Sequence, residues 1–339
     1  MVIGHAVPHD TFVGTFIYKW HMPLFFFFSG YFFNVDKYSF GKFAYRKIRS
    51  LYFPYVFWAL SFLSIHNLLI LYHISDEQIY DFHDLKVYAF RAVFEMRYYE
   101  PLLLTFWFLV QLFFTNYLCY LIFLSKKKLL SDKNIGIFSN NIIDNIIDVS
   151  VILLLIISSI LFCEYNVVIY FNFNYITLLA MVFFLIGNKL KTVDLTKKSY
   201  LIISFIVVLC FGNSFHQMIE LESNYIIIYA IIAVCGIIFV YGVSKMIDKK
   251  CNYINGVLAY VGDKSLSIMI FHLVAFKLIS YIIIWNEGLS INKLSLLVIR
   301  NVKLYWTLLY ILIGVALPLL LDKGYNYIKC LVLSKFNIN

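Results

Sequence analysis

The chain has 339 residues, of which 62% are hydrophobic, 19% aromatic and 14% charged, where soluble domains carry ~25% charge. With a mean hydropathy of +0.82, too few polar groups remain to cover a folded surface of this size, which excludes an ordinary water-soluble domain. A net charge of +9 would suit a nucleic-acid binder, but the basic residues are split among short loops with no continuous stripe, which argues against that partner.

Taken in chain order, apolar runs occur at roughly 21–34, 50–73, 102–124, 143–163, 168–188, 199–212, 224–243, 265–285 and 304–321. These nine candidate spanning helices predict an all-α, polytopic integral membrane helix bundle, one transmembrane domain over residues 1–339. The first run, at ~14 residues, is below the ~20 needed to cross a bilayer. It must continue upstream through Trp20 or be shielded by other helices.

The loops alternate in charge. Loops 34–49, 125–142, 189–198 and 244–264 and the tail from 322 hold 20 of the 28 Lys and Arg residues. Loops 74–101, 213–223 and 286–303 hold six and carry the denser acidic side chains. By the positive-inside rule the first set is cytoplasmic, and so is the C-terminus. Nine spans would then leave the N-terminus outside or within the bilayer, and the opening "MVIGHAVPHD" lacks the basic and apolar regions of a signal peptide. The expectation is one further helix upstream.

Several residues carry possible chemistry. His5 and His21 lie at the non-cytoplasmic ends of apolar segments joined by a short loop. Histidine titrates where proton transfer at neutral pH needs it, and an ionisable residue at membrane depth is a functional candidate; an interfacial anchor is the plain alternative. In "KFAYRKIRSLYFPYVFW" (42–58), Arg46 and Arg49 are three apart and would share one helical face, suited to gripping an anion. An ordinary basic flank explains them too. Trp107 and Gln111 are spaced i, i+4, where a buried glutamine needs a partner and an aromatic belt explains the tryptophan equally well.

In "YVGDKSLSIMIFHL" (260–273), Ser265 is a plausible N-cap and His272 reads as a structural hydrogen-bonding residue. His66, His73, His83 and His216 show no metal-like spacing, and no metal is expected. Six cysteines without C-x-x-C spacing read as small apolar residues.

The blocks "IYKWHMPLFFFFSGYFF", "YRKIRSLYFPYVFW", "FWFLVQLF" and "VGDKSLSIMIFH", in that order, resemble the membrane-bound acyltransferase family 3. The closest likeness is to its fucose 4-O-acetylase-like branch. The resemblance implies a ten-helix transferase, here with its first helix truncated, which moves an acyl group, usually acetyl from acetyl-CoA, onto a sugar hydroxyl. The acceptor would be a surface polysaccharide or its lipid-linked precursor, and the location the cell's inner or plasma membrane.

The family's Gly-His step is matched by Gly4-His5, which implies His5 as catalytic base, with His21 orienting it or binding the acceptor. The family's Arg-x-x-Arg pair is matched by Arg46 and Arg49, implying that they, with Lys42 and Lys47, hold the phosphates of acetyl-CoA. Trp107 and Gln111 would line the substrate cavity. The family's arginine about eleven residues before the helix-one histidine has no counterpart here, so an inactive truncated acyltransferase is one alternative. A polysaccharide-unit flippase is the other, and it would need charged residues along a polar path.

Overall fold

A computed structural model describes residues 1–8, 11–131, 137–211, 217–300 and 303–335; His216 lies outside the described residues. Those residues are helical with no named strand. Membrane burial dictates this, because each backbone N–H and C=O in hydrocarbon must be satisfied within its own segment.

In chain order the helices are α1 (Val2–Ala6), α2 (Phe12–Tyr18), α3 (His21–Tyr31) and α4 (Phe40–Lys47). A π turn (Ile48–Tyr52) leads into α5 (Phe53–Ser64), then α6 (His66–Leu71) and α7 (Phe82–Phe94). A 3-10 segment (Pro101–Phe106) opens α8 (Trp107–Ser131), followed by α9 (Ile137–Glu164), α10 (Tyr175–Leu190), α11 (Lys198–Cys210) and α12 (Ile226–Lys250). Last come α13 (Asn252–Asp263), α14 (Ser265–Asn286) and α15 (Leu304–Lys335).

Among the described residues, five helices are long and apolar enough to cross a membrane: Pro101–Leu130, Ile142–Glu164, Ser223–Lys250, Ser265–Asn286 and Leu304–Tyr327. The other apolar runs fold as shorter pieces. The run at 21–34 is the 11-residue α3, and the run at 50–73 bends at Ile65, whose φ/ψ of −104°/5° separates α5 from α6. Helix α10 is likewise short but almost wholly buried, shielded by α3, α8 and α9. The outer helices show lipid what an aqueous protein would hide, with Leu153, Leu154 and Ile157 of α9 more than half exposed.

Lipid tails are as apolar as leucine, so close helix approach must come from small residues and polar links. A Cβ on Gly30 of α3 would lie 1.8 Å from the Phe184 carbonyl oxygen, and one on Gly187 of α10 would lie 2.0 Å from that of Phe27. Asn188 Nδ2 donates to the carbonyls of Gly30 and Phe33 at 3.0 and 3.1 Å, capping the end of α3. The Ser29-Gly30 step is therefore the place where two backbones touch.

Several charged side chains inside the bundle have named partners. Lys126 of α8 reaches Asp144 and Asp148 of α9 at 2.8 and 2.5 Å, and Lys189 of α10 reaches Asp148 at 2.7 Å. Buried Lys277 uses its three N–H donors on the carbonyls of Leu294, Ser295 and Leu296 at 2.7, 2.9 and 2.9 Å. His66 bonds Glu100 at 2.8 Å and the Gln78 carbonyl at 2.9 Å. That pair fastens the 74–100 loop, whose helix α7 begins in a capping box of Asp81 and Asp84.

Candidate functional site

Two cavities lie at opposite ends of α3. The first, about 190 Å³, sits at its N-terminal end and is lined by His5, Tyr18, His21, Thr105, Trp107 and Leu297, among others. His5 rides on the short helix α1, which rests on α15: a Cβ on Gly314 would stand 2.8 Å from Val2 Cγ1. Tyr18 crosses α1 at Gly4, where an added Cβ would meet its ring at 3.3 Å. The Tyr18 hydroxyl then lies 3.4 Å from His5 Nδ1, and its ring meets His21 edge-on with centroids 5.0 Å apart.

A carbonyl can only accept, so His21 Nδ1 must donate its N–H to the Ile17 oxygen, 3.0 Å away. That fixes the tautomer and leaves Nε2 with a lone pair. His272 repeats the arrangement. Its Nδ1 faces the carbonyls of Ile268 and Met269 at 2.8 and 3.0 Å, while its Nε2 is buried with no hydrogen-bond partner among the described residues. The His272 ring lies 5.4 Å from that of His5. Expected to be structural, His272 thus joins the histidine cluster as well as bonding its own helix. Its position on α14 supplied no signal, since the approach to α1 is a tertiary contact.

The second cavity, about 420 Å³, lies at the C-terminal end of α3 against the Lys/Arg-rich 34–49 segment. Lys37, Arg46 and Lys47 line it, with Ser29 and Asn116. The Arg46 guanidinium lies 4.6 Å from the Tyr38 ring centroid, and Lys42 Nζ lies 5.6 Å from the same ring. Burial, with the neighbouring Arg46 charge, lowers the Lys47 ammonium to about 8.

Arg46 and Arg49 do not share this cavity. The π turn at Ile48–Tyr52 inserts an extra residue into the helical repeat, which rotates Arg49 relative to the α4 face. Arg46 and Lys47 line the cavity, whereas Arg49 and Lys42 do not.

The Trp107 and Gln111 expectation also divides. Trp107 lines the histidine cavity. Gln111 is 1% exposed, donates to the Asn172 carbonyl at 3.2 Å and accepts from the Thr177 hydroxyl. Its partners are on α10 and the preceding loop, so it joins helices and leaves the cavity wall to Trp107.

Between the cavities, Phe25 and Phe26 of α3 pack on Phe108 of α8 with centroids 5.1 and 5.3 Å apart. The two ends of α3 thus differ in lining, cations at one and histidines at the other, with this ring cluster along the helix between them.

No curated protein and no solved structure gives a match to this chain. A family model described as an acyltransferase domain matches residues 1–323, nearly the whole chain, and the protein belongs to that family of membrane acyltransferases, acyltransferase family 3.

Proposed function

We propose that the protein is an O-acyltransferase that moves an acyl group, acetyl by resemblance, from acyl-CoA to a sugar hydroxyl of a surface polysaccharide or its lipid-linked precursor. The observation that carries this reading is the pairing of a cavity bearing Arg46 and Lys47 with a cavity bearing His5, Tyr18 and His21, the first of which meets His272, at the two ends of α3. The basic end faces the cytoplasm, where acyl-CoA is made, in the cell's inner or plasma membrane. Arg46 and Lys47 hold the donor's phosphates by charge-assisted hydrogen bonds.

His5 takes the proton of the acceptor hydroxyl as its oxygen attacks the thioester carbonyl. The tetrahedral intermediate collapses, its C–S bond breaks, and the departing thiolate recovers the proton from the imidazolium. The products are an ester and free CoA thiol. Tyr18 and His21 orient His5, and the rings of Phe25, Phe26 and Phe108 keep bulk water from the thioester, whose hydrolysis would compete.

A flippase reading would need charges lining a path. Lys126, Lys189, Asp144 and Asp148 instead pair with one another, which favours the transferase.

The test is acceptor-dependent thiol release from acetyl-CoA by the purified protein in nanodiscs with candidate surface glycans. His5→Ala is expected to abolish release. No release by the wild type with any acceptor, together with no CoA binding, would overturn the assignment.

A further inference from the structure

The basic cavity changes character with depth. Its mouth carries Lys37, Arg46 and Lys47, its walls include Phe28, Phe33 and Tyr38, and its inner part carries a hydroxyl and a carboxamide, Ser29 and Asn116. Ser29 Oγ donates to Asn116 Oδ1 at 3.2 Å, and Asn116 Nδ2 donates to the Leu112 carbonyl at 2.7 Å.

A primary amide offers two N–H donors and two lone pairs on oxygen. With those two bonds made, Asn116 keeps one N–H and one lone pair, and the serine oxygen keeps its own lone pairs. The pair therefore has spare donor and acceptor capacity in a residue 1% exposed, where polar groups ordinarily use what they have. One secondary amide, with one N–H and one C=O, complements that remainder.

We propose that Ser29 and Asn116 form the subsite for an amide of the donor's pantetheine arm, which rests on the acyl-CoA reading above and adds to it where the arm lies. A nucleotide phosphate alone needs only the cationic mouth. An arm carrying amides a few bonds below the phosphates needs polar partners at the depth of Ser29.

The spacing agrees. Ser29 and His21 are eight residues apart on α3, a rise of about 12 Å at 1.5 Å per residue. The arm from phosphate oxygen to sulfur matches about four residues of extended chain, roughly 14 Å. An amide near its middle, held at Ser29, leaves about 7 Å of arm beyond it, which brings the thioester to the Phe25–Phe108 contact on the side that leads to the histidine cavity.

The experiment needs no acceptor. Binding of two probes, CoA and 3′,5′-ADP, is measured by calorimetry on the full chain in nanodiscs for wild type, Ser29→Ala, Asn116→Ala and Arg46→Ala. Losing one hydrogen-bonded contact of about 1 kcal/mol is expected to weaken CoA about five- to tenfold in each of the first two variants. Their 3′,5′-ADP affinity is expected to stay within about twofold, which also reports an intact fold, while Arg46→Ala weakens both probes.

Unchanged CoA affinity in Ser29→Ala and Asn116→Ala, with wild-type binding intact, would overturn the subsite and leave the donor reading standing. Equal loss of both probes would overturn it too, making the pair a helix-packing link. Failure of the wild type to bind either probe would remove the donor reading itself.

Discussion

His5 and His272, 267 positions apart in sequence, bring their rings to 5.4 Å. The bonds from His272 Nδ1 to the carbonyls of Ile268 and Met269 hold its ring plane and leave Nε2 as a lone-pair site with no partner among the described residues. A base next to a fixed imidazole is held in orientation.

His5→Ala is therefore expected to lower kcat/KM by about 10²- to 10⁴-fold, the range for loss of general-base catalysis. His272→Ala is expected to cost roughly tenfold in kcat, with the KM for acyl-CoA unchanged. Thiol-release kinetics on both variants decide it, and an unchanged kcat in His272→Ala would reduce the contact to packing.

The Gly30–Gly187 crossing makes a prediction about assembly. A methyl at Gly30 must displace the backbone of Phe184, 1.8 Å away, and backbone cannot yield as a flexible side chain does. Gly30→Ala and Gly187→Ala are expected to destabilise by about 1–3 kcal/mol or more, the usual cost of overpacking. A lowered midpoint of thermal unfolding in detergent would register this. Gly41→Ala and Gly256→Ala, whose added Cβ meets nothing within 4 Å, serve as controls expected near neutral.

Much of this arrangement is legible in sequence, for reasons that can be assigned residue by residue. Low charge and long apolar runs compel helices, and Ser29-Gly30 advertises a close approach because small residues are what membrane helices use to touch. Arg46 is visible as an anion-binding candidate, but spacing alone does not show that Arg49 stays off the cavity wall, because the π turn breaks the 3.6-residue repeat that spacing assumes.

Gln111 is visible as a buried amide in need of a partner. Its partner Thr177, 66 positions on, depends on how α8 meets α10. The His272 contact is invisible for the same reason. The bent run at 50–73 and the short α3 keep enough apolar residues to read as spans, since hydropathy reports composition and is blind to a single non-helical residue such as Ile65.

The His66–Glu100 pair predicts a pH dependence. The Gln78 carbonyl can only accept, so His66 Nε2 keeps its hydrogen, and the 2.8 Å contact between Nδ1 and Glu100 Oε1 requires one further proton between the two. Burial raises the Glu100 carboxyl above its usual range, against the opposing pull of His66. A group raised in the folded state binds more protons folded than unfolded, so its contribution is complete below the ordinary carboxylate value. It is lost as pH rises through the raised one.

Hydrogen exchange of residues 74–100 in nanodiscs should therefore show protection that falls as the pH is raised. Glu100→Gln, which cannot ionise, should flatten that slope. A slope identical in wild type and Glu100→Gln would assign the pH response elsewhere.

The π turn separates the roles of neighbouring cations in donor binding. Arg46 lines the basic cavity beside Lys47, and Arg49 lies within the turn and outside the cavity. Arg46→Ala is expected to raise the KM for acyl-CoA about tenfold or more, the loss of a charge-assisted contact worth roughly 1.5–3 kcal/mol, and Arg49→Ala to raise it less than threefold. Lys47 adds a pH signature, because its ammonium is lowered to about 8 by burial and by Arg46. Below that value it is charged and attracts phosphate; above it the free protein carries a neutral amine, and binding must first take up a proton. Donor affinity in the wild type is thus expected to fall as pH rises past about 8, and Lys47→Arg, which stays protonated, to hold its affinity across the same interval. Donor KM measured from pH 6.5 to 9.5 checks both points. Equal effects of Arg46→Ala and Arg49→Ala would mean that donor binding straightens the π turn and restores the shared face.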